Sequence, residues 1–435
     1  MSAPQAFCET AFDRPIDRVV IIHDHATPVG GAGVLALMAA REYRKLGLPV
    51  TFFTGGSGNA TGDLEGIDLI ALGTARLLDL PKWAAMRQGL YSKMVRNALA
   101  AWIVQNDTER TVYHLHNWSQ TLSPAVFEAL RPVEQRTIVT CHDFFNACPN
   151  GSFLDFQKSK LCVSRPLSPA CLAKQCDRRG AAHKYWRVLR HLQLGRSAAF
   201  GDSRATFTFL HARMRDKFVE AGFAAQDLRI NPNPAEAWSK QRIAAEENTR
   251  LLFVGRIGRD KGADIAVEAA HAAKMPITLV GSGELAEDLA ARFPEVRLAG
   301  WCDRSGIAAA AKQARTLIVP SRVTEPFGLV ILEAAMSWLP VLVSDRAYLS
   351  SDVERDDFGI AFDPDDPRRL VALLSRLMRD DDAVRRMSLN GVSRAAACTH
   401  SPESWAGSFV RIFCEKLRPG TFRATSPEPA SELLA

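Results

Sequence analysis

The chain has 435 residues, of which 47% are hydrophobic and 23% charged, and its net charge is +6. That length exceeds one ordinary core and predicts two domains, and the composition is that of a globular chain, not a disordered or fibrous one. No uncharged apolar run approaches the length of a membrane-spanning helix, and residues 1–13 lack the basic-then-apolar order of a signal peptide, so cytoplasmic residence is the expectation.

In chain order, short apolar runs predict strands at 18–23, 50–54, 69–72, 112–116, 137–140, 198–202 and 228–230. Further runs predict strands at 251–254, 277–280, 296–298, 316–319, 341–344 and 359–362. Helical patterns alternate with them, which argues for an α/β chain with parallel, doubly wound sheets. Asn231-Pro232-Asn233-Pro234 and the polar stretch 239–250 interrupt regular structure and divide a first lobe (1–232) from a second (250–400). An amphipathic helix is expected within 401–417, and the Pro, Ser and Thr content of 418–435 predicts a disordered tail.

Gly30-Gly31-Ala32-Gly33 follows the first strand and precedes a helix. It lacks the third glycine of the dinucleotide fingerprint and is a weak signal alone. His142-Asp143 ends the 137–140 strand, where open sheets place functional groups, although a histidine there is commonly a structural hydrogen-bonder. His114 and His116 are expected to serve packing or to support other groups. Cys148, Cys162, Cys171 and Cys176 are separated by 13, 8 and 4 residues, which is not a standard zinc spacing. Spectator thiols and a structural metal site both fit them.

Charge is uneven. Residues 158–229 carry 15 basic against 5 acidic residues, and His183-Lys184-Tyr185-Trp186-Arg187 interleaves cations with aromatics. An anionic membrane surface, an anionic acceptor and a plain solvated helix all fit that pattern. No finger, homeodomain or stacking-platform signature is present, so nucleic acid is not an expected partner.

In the second half, the 251–254 strand runs into Gly255-Arg256, with Lys261-Gly262 before the next helix. Strand, glycine-bearing loop and helix form a phosphate-approach geometry, and two cations there could neutralise a departing diphosphate. Gly281-Ser282-Gly283-Glu284 follows the next strand. Then Glu325-Pro326-Phe327-Gly328-Leu329 opens a helix expected over 329–338, with Glu333 two turns in. The two carboxylates are roughly 10 Å apart on helical geometry, the span of a diphosphate between two sugars. The amides of Phe327, Gly328 and Leu329 would face an anion between them. An ordinary helix with one terminal and one solvated glutamate fits the same residues.

These motifs, with Val319-Pro320-Ser321 and Pro340-Val341-Leu342-Val343-Ser344, resemble those of the retaining family-4 glycosyltransferases of the two-lobed GT-B fold, over about residues 18–415. The resemblance implies a donor site in the second lobe, where Gly255, Gly283, Phe327, Gly328 and Leu329 approach a nucleoside diphosphate sugar. Arg256 and Lys261 would steady the diphosphate, Glu325 the transferred sugar and Glu333 the ribose. It also implies an acceptor and phosphate loop at Gly30, Gly31 and Gly33, His142 beside the reacting sugar, and a terminal helix crossing back to the first lobe. With no Asp-x-Asp signature in the expected loop, neither a catalytic metal nor a cofactor is implied. The expected partners are the nucleotide sugar and a glycan or lipid-linked acceptor. A nucleotide-sugar epimerase and a non-catalytic binding protein remain alternatives.

Overall fold

The computed structural model describes residues 16–58, 64–158 and 160–418. The segment considered for a signal peptide (1–13) and residues 419–435 of the tail expected over 418–435 lie outside the described residues.

The first sheet begins with β1 (Arg18–His23), β2 (Val50–Thr54), β3 (Asp68–Ala71), β4 (Thr111–Leu115) and β5 (Thr137–Cys141). A small antiparallel hairpin, β6 (Leu154–Asp155) with β7 (Lys160–Leu161), precedes β8 (Thr206–Phe209) and β9 (Asp227–Ile230). Its seven strands run β3-β2-β1-β4-β5-β8-β9 and pair in parallel throughout. The second sheet holds β10 (Arg250–Val254), β11 (Ile277–Val280), β12 (Arg297–Gly300), β13 (Ala314–Val319), β14 (Val341–Ser344) and β15 (Gly359–Phe362). Its order is β12-β11-β10-β13-β14-β15, also parallel. Helices cover both faces of such sheets, so central strands are continuously apolar. Val19 to Ile22 and Leu251 to Phe253 are accordingly buried without alternation.

Strand order reverses between β1 and β4 in one sheet and between β10 and β13 in the other. Ligands of open α/β sheets bind outside the carboxyl ends at such switch points. Here both switch points open onto one cleft.

Two expectations need correction. Residues 198–202 are not a strand: the Ala181–Ala198 helix ends there at a left-handed Ala199, residues 200–202 form a turn, and the strand is Thr206–Phe209. Alanines favour the helix, whereas β-branched and aromatic Thr206-Phe207-Thr208-Phe209 suit a buried strand. The helix after Gly328 ends at Ala335, not Trp338. The Leu339 amide donates to the Ala334 carbonyl at 3.0 Å and the Trp338 amide to Ala335 at 3.1 Å, with Trp338 at φ 59°. This Schellman turn precedes Pro340, which cannot extend the helix.

The chain crosses between lobes twice, and the crossings are tied together. Thr399 donates to the Asn233 carbonyl at 2.6 Å, and Ser408 donates to Asn231 Oδ1 at 2.8 Å. The Pro402–Lys416 helix then packs on the Gly30–Lys45 helix of the first lobe, burying Trp405, Phe409 and Phe413 with Tyr43. Among the described residues no helix is long and apolar enough to cross a membrane. Cys148, Cys162, Cys171 and Cys176 are buried free thiols, and among the described residues no group of three or more His, Cys, Asp and Glu could hold a metal ion.

Candidate active site

The second-lobe wall is built by close backbone approaches. Gly262 sits at φ 72°, and a Cβ there would lie 2.0 Å from the Pro320 carbonyl oxygen. Only glycine lets the loop after β10 lie against the end of β13. That contact carries Lys261 to Glu325: its ammonium donates to Oε2 at 2.5 Å, and Ser321 Oγ donates to the same oxygen at 3.4 Å. Burial opposes the charge on Lys261, but the attraction and hydrogen bond of Glu325 outweigh it, and the lysine pKa is raised. Gly281 and Gly283 serve a different contact. Cβ atoms there would meet the Gly255 and Ile257 carbonyls at 1.9 and 2.3 Å, so they close one loop upon another.

Gly255, Lys261, Ser321, Glu325 and the Pro326 to Val330 segment line a cavity of about 260 Å3 from the second lobe. Gly31, Ala32, Leu35, His142, Leu210 and Asn233 line the opposite wall. The cavity therefore spans the two lobes.

Three of the expected donor groups lie off this cavity. Arg256 is turned to Asp260 and to Glu284, with Nη1 at 3.4 Å from Glu284 Oε2. The expected pair of cations over one hollow is thus not formed, because two carboxylates outside it neutralise the arginine. Glu333 lies on the second turn after Gly328 and pairs with Arg304 at 3.8 Å. Burial raises its pKa, and Arg304 acts in the opposite direction. Gly283 is held in the loop contact described above.

On the first-lobe side the glycines are not a loop. Gly30, Gly31 and Gly33 form the first turn of the Gly30–Lys45 helix, with Val29 as a cap that makes no side-chain hydrogen bond. Gly30 enters the helix in a left-handed conformation at φ 68°, which glycine adopts without strain, while Gly33 packs toward the Thr27 carbonyl, 3.1 Å from a built Cβ. Gly31 reaches the cavity; Gly30 and Gly33 do not line it.

His142 stands on a connected set of rings. Its Nε2 is 3.0 Å from His116 Nδ1. His116 lies against His114, whose Nδ1 meets the Tyr43 hydroxyl at 2.9 Å and whose Nε2 meets Thr140 at 2.8 Å. Burial, then the nearby His23, pushes the His142 pKa down to about 3. His142 is therefore a neutral hydrogen-bonding group at ordinary pH.

Sequence reasoning missed Ser321, Asn233 and Arg304. Ser321 stands within the quoted Val319-Pro320-Ser321 run. Asn233 was read only as part of a chain break, yet its buried side chain lines the cavity and its Oδ1 has no partner. Nothing in the sequence around Arg304 links it to Glu333.

Two doubly wound lobes with facing switch points define the GT-B class of glycosyltransferases. Residues 30–234 match the family described as glycosyl transferase 4-like domain, and residues 234–394 match glycosyl transferases group 1. The fold is similar to that of sucrose-phosphate synthase from Thermosynechococcus elongatus, with a TM-score of 0.67 and 18% identity over 91% of this chain and 98% of that one. It is also similar to Anabaena HepE solved with UDP-glucose, with a TM-score of 0.63 and 14% identity over 91% and 98%. In sequence, a D-inositol 3-phosphate glycosyltransferase of Corynebacterium urealyticum is 24% identical over 91% of this chain and 95% of its own length. The chain belongs to the family-4 type of GT-B glycosyltransferases, and its reaction is transfer of a sugar from a nucleotide sugar.

Proposed function

We propose that the protein is a retaining, metal-independent enzyme that moves a sugar from a nucleoside diphosphate sugar to an acceptor hydroxyl in bacterial glycan, lipopolysaccharide or glycolipid synthesis. The observation that carries the reading is the Lys261–Glu325 pair inside the interlobe cavity, facing His142 across it. In this reading the acceptor oxygen bonds to the anomeric carbon as the bond from that carbon to the diphosphate oxygen breaks. The acceptor proton passes to the departing phosphate. Lys261 and the amides of Phe327, Gly328 and Leu329 stabilise the charge that develops there, which is the largest catalytic contribution a dry cleft offers. Glu325 accepts hydrogen bonds from the transferred sugar. Glu333, paired with Arg304 off the cavity lining, would accept hydrogen bonds from the ribose hydroxyls. His142 donates to or accepts from a sugar hydroxyl and carries no proton of the reaction.

Structural neighbours support the donor class and the pathway class. HepE was solved with UDP and UDP-glucose, and WaaG is described as acting in lipopolysaccharide biosynthesis. The basic first lobe supports an anionic, lipid-linked acceptor at the inner face of a membrane. A panel of nucleoside diphosphate sugars tested by thermal shift will identify the donor, because a ligand of the folded state raises Tm. If no UDP, GDP or ADP sugar does so, the reading fails. Retention is checked by the anomeric configuration of the product, and metal independence by full activity in EDTA. Turnover of donor without acceptor into an epimer would point to an isomerase instead.

A further inference from the structure

We propose that the outer face formed by the Lys82–Leu90 and Ala181–Ala198 helices docks on an anionic lipid bilayer. The proposed acceptor chemistry gives this face its purpose, but the face is argued from its own residues. The two helices are locked together. The Trp186 indole N–H donates to the Met86 carbonyl at 3.1 Å, and Arg190 Nε donates to the Gly89 carbonyl at 2.8 Å. A Cβ at Gly89 would sit 2.7 Å from Trp186, so glycine sets that close approach.

With these faces used, each helix turns an apolar stripe outward. Trp83 and Met86 are three residues apart on one; Tyr185, Leu189 and Leu192 fall at helical spacing on the other. Trp83 is 71% exposed and Leu189 56% exposed. A soluble surface rarely presents such side chains together unless something covers them.

The surrounding charge selects the occupant. No carboxylate occurs in residues 80–106 or 178–201. Lys82, Arg87, Lys93, Arg179 and Arg196 are exposed there and form no ion pair with a described residue. Some exposed arginines elsewhere are matched, as Arg292 is with Glu268 and Arg355 with Asp352, so what marks this face is its lack of any carboxylate. A basic rim around exposed Trp, Tyr, Met and Leu suits a bilayer carrying anionic headgroups, where each cation near the surface adds attraction and the aromatics sit at the interface. A second copy of this chain is disfavoured, since two-fold pairing would set the same cations against each other. Arg178, just before the second helix, reaches Glu284 of the second lobe at 3.8 Å. The face therefore begins at the edge of the cleft, and a lipid-anchored acceptor would arrive beside it.

The test is co-sedimentation of the full chain, without nucleotide sugar, with vesicles of phosphatidylcholine alone or mixed with phosphatidylglycerol. Binding is expected only to the mixed vesicles and should weaken as salt rises. A Trp83→Glu, Leu189→Glu double variant should lose at least about tenfold in partitioning, since it places two charges where apolar groups enter the interface. Its Tm and donor-induced shift should match the parent, because both positions are exposed. Equal binding to neutral vesicles, or undiminished binding of the variant, would overturn the proposal. So would a concentration-dependent dimer dispersed by the same substitutions, which would make the face a protein interface. Failure to bind vesicles leaves the transferase reading standing, and failure to bind any donor leaves the bilayer result standing.

Discussion

The Nδ1 atom of His116 lies 3.0 Å from Nε2 of His142, so one ring donates the shared proton and the other accepts it. If His142 Nε2 is committed inward, its Nδ1 is the nitrogen left for the cleft. The pair belongs to a run of buried rings that extends to His114, and burial pushes His114 and His116 well below their ordinary range, as it does His142.

A pH dependence of stability follows. In the unfolded chain these rings titrate near 6.5. In the folded protein His142 takes up a proton only at about 3. Between those values the unfolded state binds more protons, so stability rises with pH through the window and is lost as pH falls below about 6.5. Each such histidine contributes a slope of up to about 1.4 kcal/mol per pH unit. Tm measured at intervals from neutral pH to about pH 4 should fall steeply, and His142→Asn should flatten the curve. An unchanged slope would show that His142 is not held neutral by burial. The kcat/KM profile should show no ionisation near pH 6.5 from this ring.

Gly262→Ala tests whether the backbone contact with Pro320 places Lys261. The substitution sets a Cβ against the Pro320 oxygen at a positive φ, and should cost on the order of 1–3 kcal/mol. Donor affinity should fall with it, because the loop that carries Lys261 must shift. A variant with parental Tm and parental donor binding would remove this account of the loop.

The sheets were legible because parallel strands covered on both faces are apolar along their whole length, as Leu251 to Phe253 and Val341 to Val343 are. The misplaced strand shows the limit. Ala198 and Ala199 extend an apolar pattern that the end of a helix and its cap use equally well, and only the alternation of Thr206 to Phe209 marks the true strand. At the site, Lys261 and Glu325 were legible through their loop positions. The sequence could not show that Arg256 turns to Asp260 and Glu284, since that depends on where a third loop lies. The histidine run was equally hidden: its members come from the ends of β1, β4 and β5, which adjoin only through the strand order.

The terminal helix supplies a stability test. Trp405 is fully buried on the first lobe beside His116 and Phe409, and its indole N–H has no partner. Trp405→Ala should cost about 3–5 kcal/mol through the cavity it leaves. Trp405→Phe keeps most of the contact and removes the unsatisfied donor, so its cost should be clearly smaller. Urea unfolding will separate them; equal losses would mean that the N–H finds a partner.

Lys261, Glu325 and Arg256 together test how the site divides its labour. If Lys261 stabilises the leaving diphosphate, Lys261→Ala should lower kcat by about 10²–10³-fold, the range for loss of one aligned electrostatic group. Glu325→Ala should lose a similar amount, because it removes both a sugar contact and the group that holds Lys261. The double variant should be much less impaired than the product of the two, since each single change leaves the other charge without its partner. Arg256→Ala should cost about tenfold or less, because that guanidinium already rests between Asp260 and Glu284 at an exposed position and is not aimed into the cavity. Matching losses for Arg256→Ala and Lys261→Ala would mean that the arginine swings inward when donor binds. A near-normal Lys261→Ala enzyme would mean that the leaving group is stabilised by the backbone amides alone.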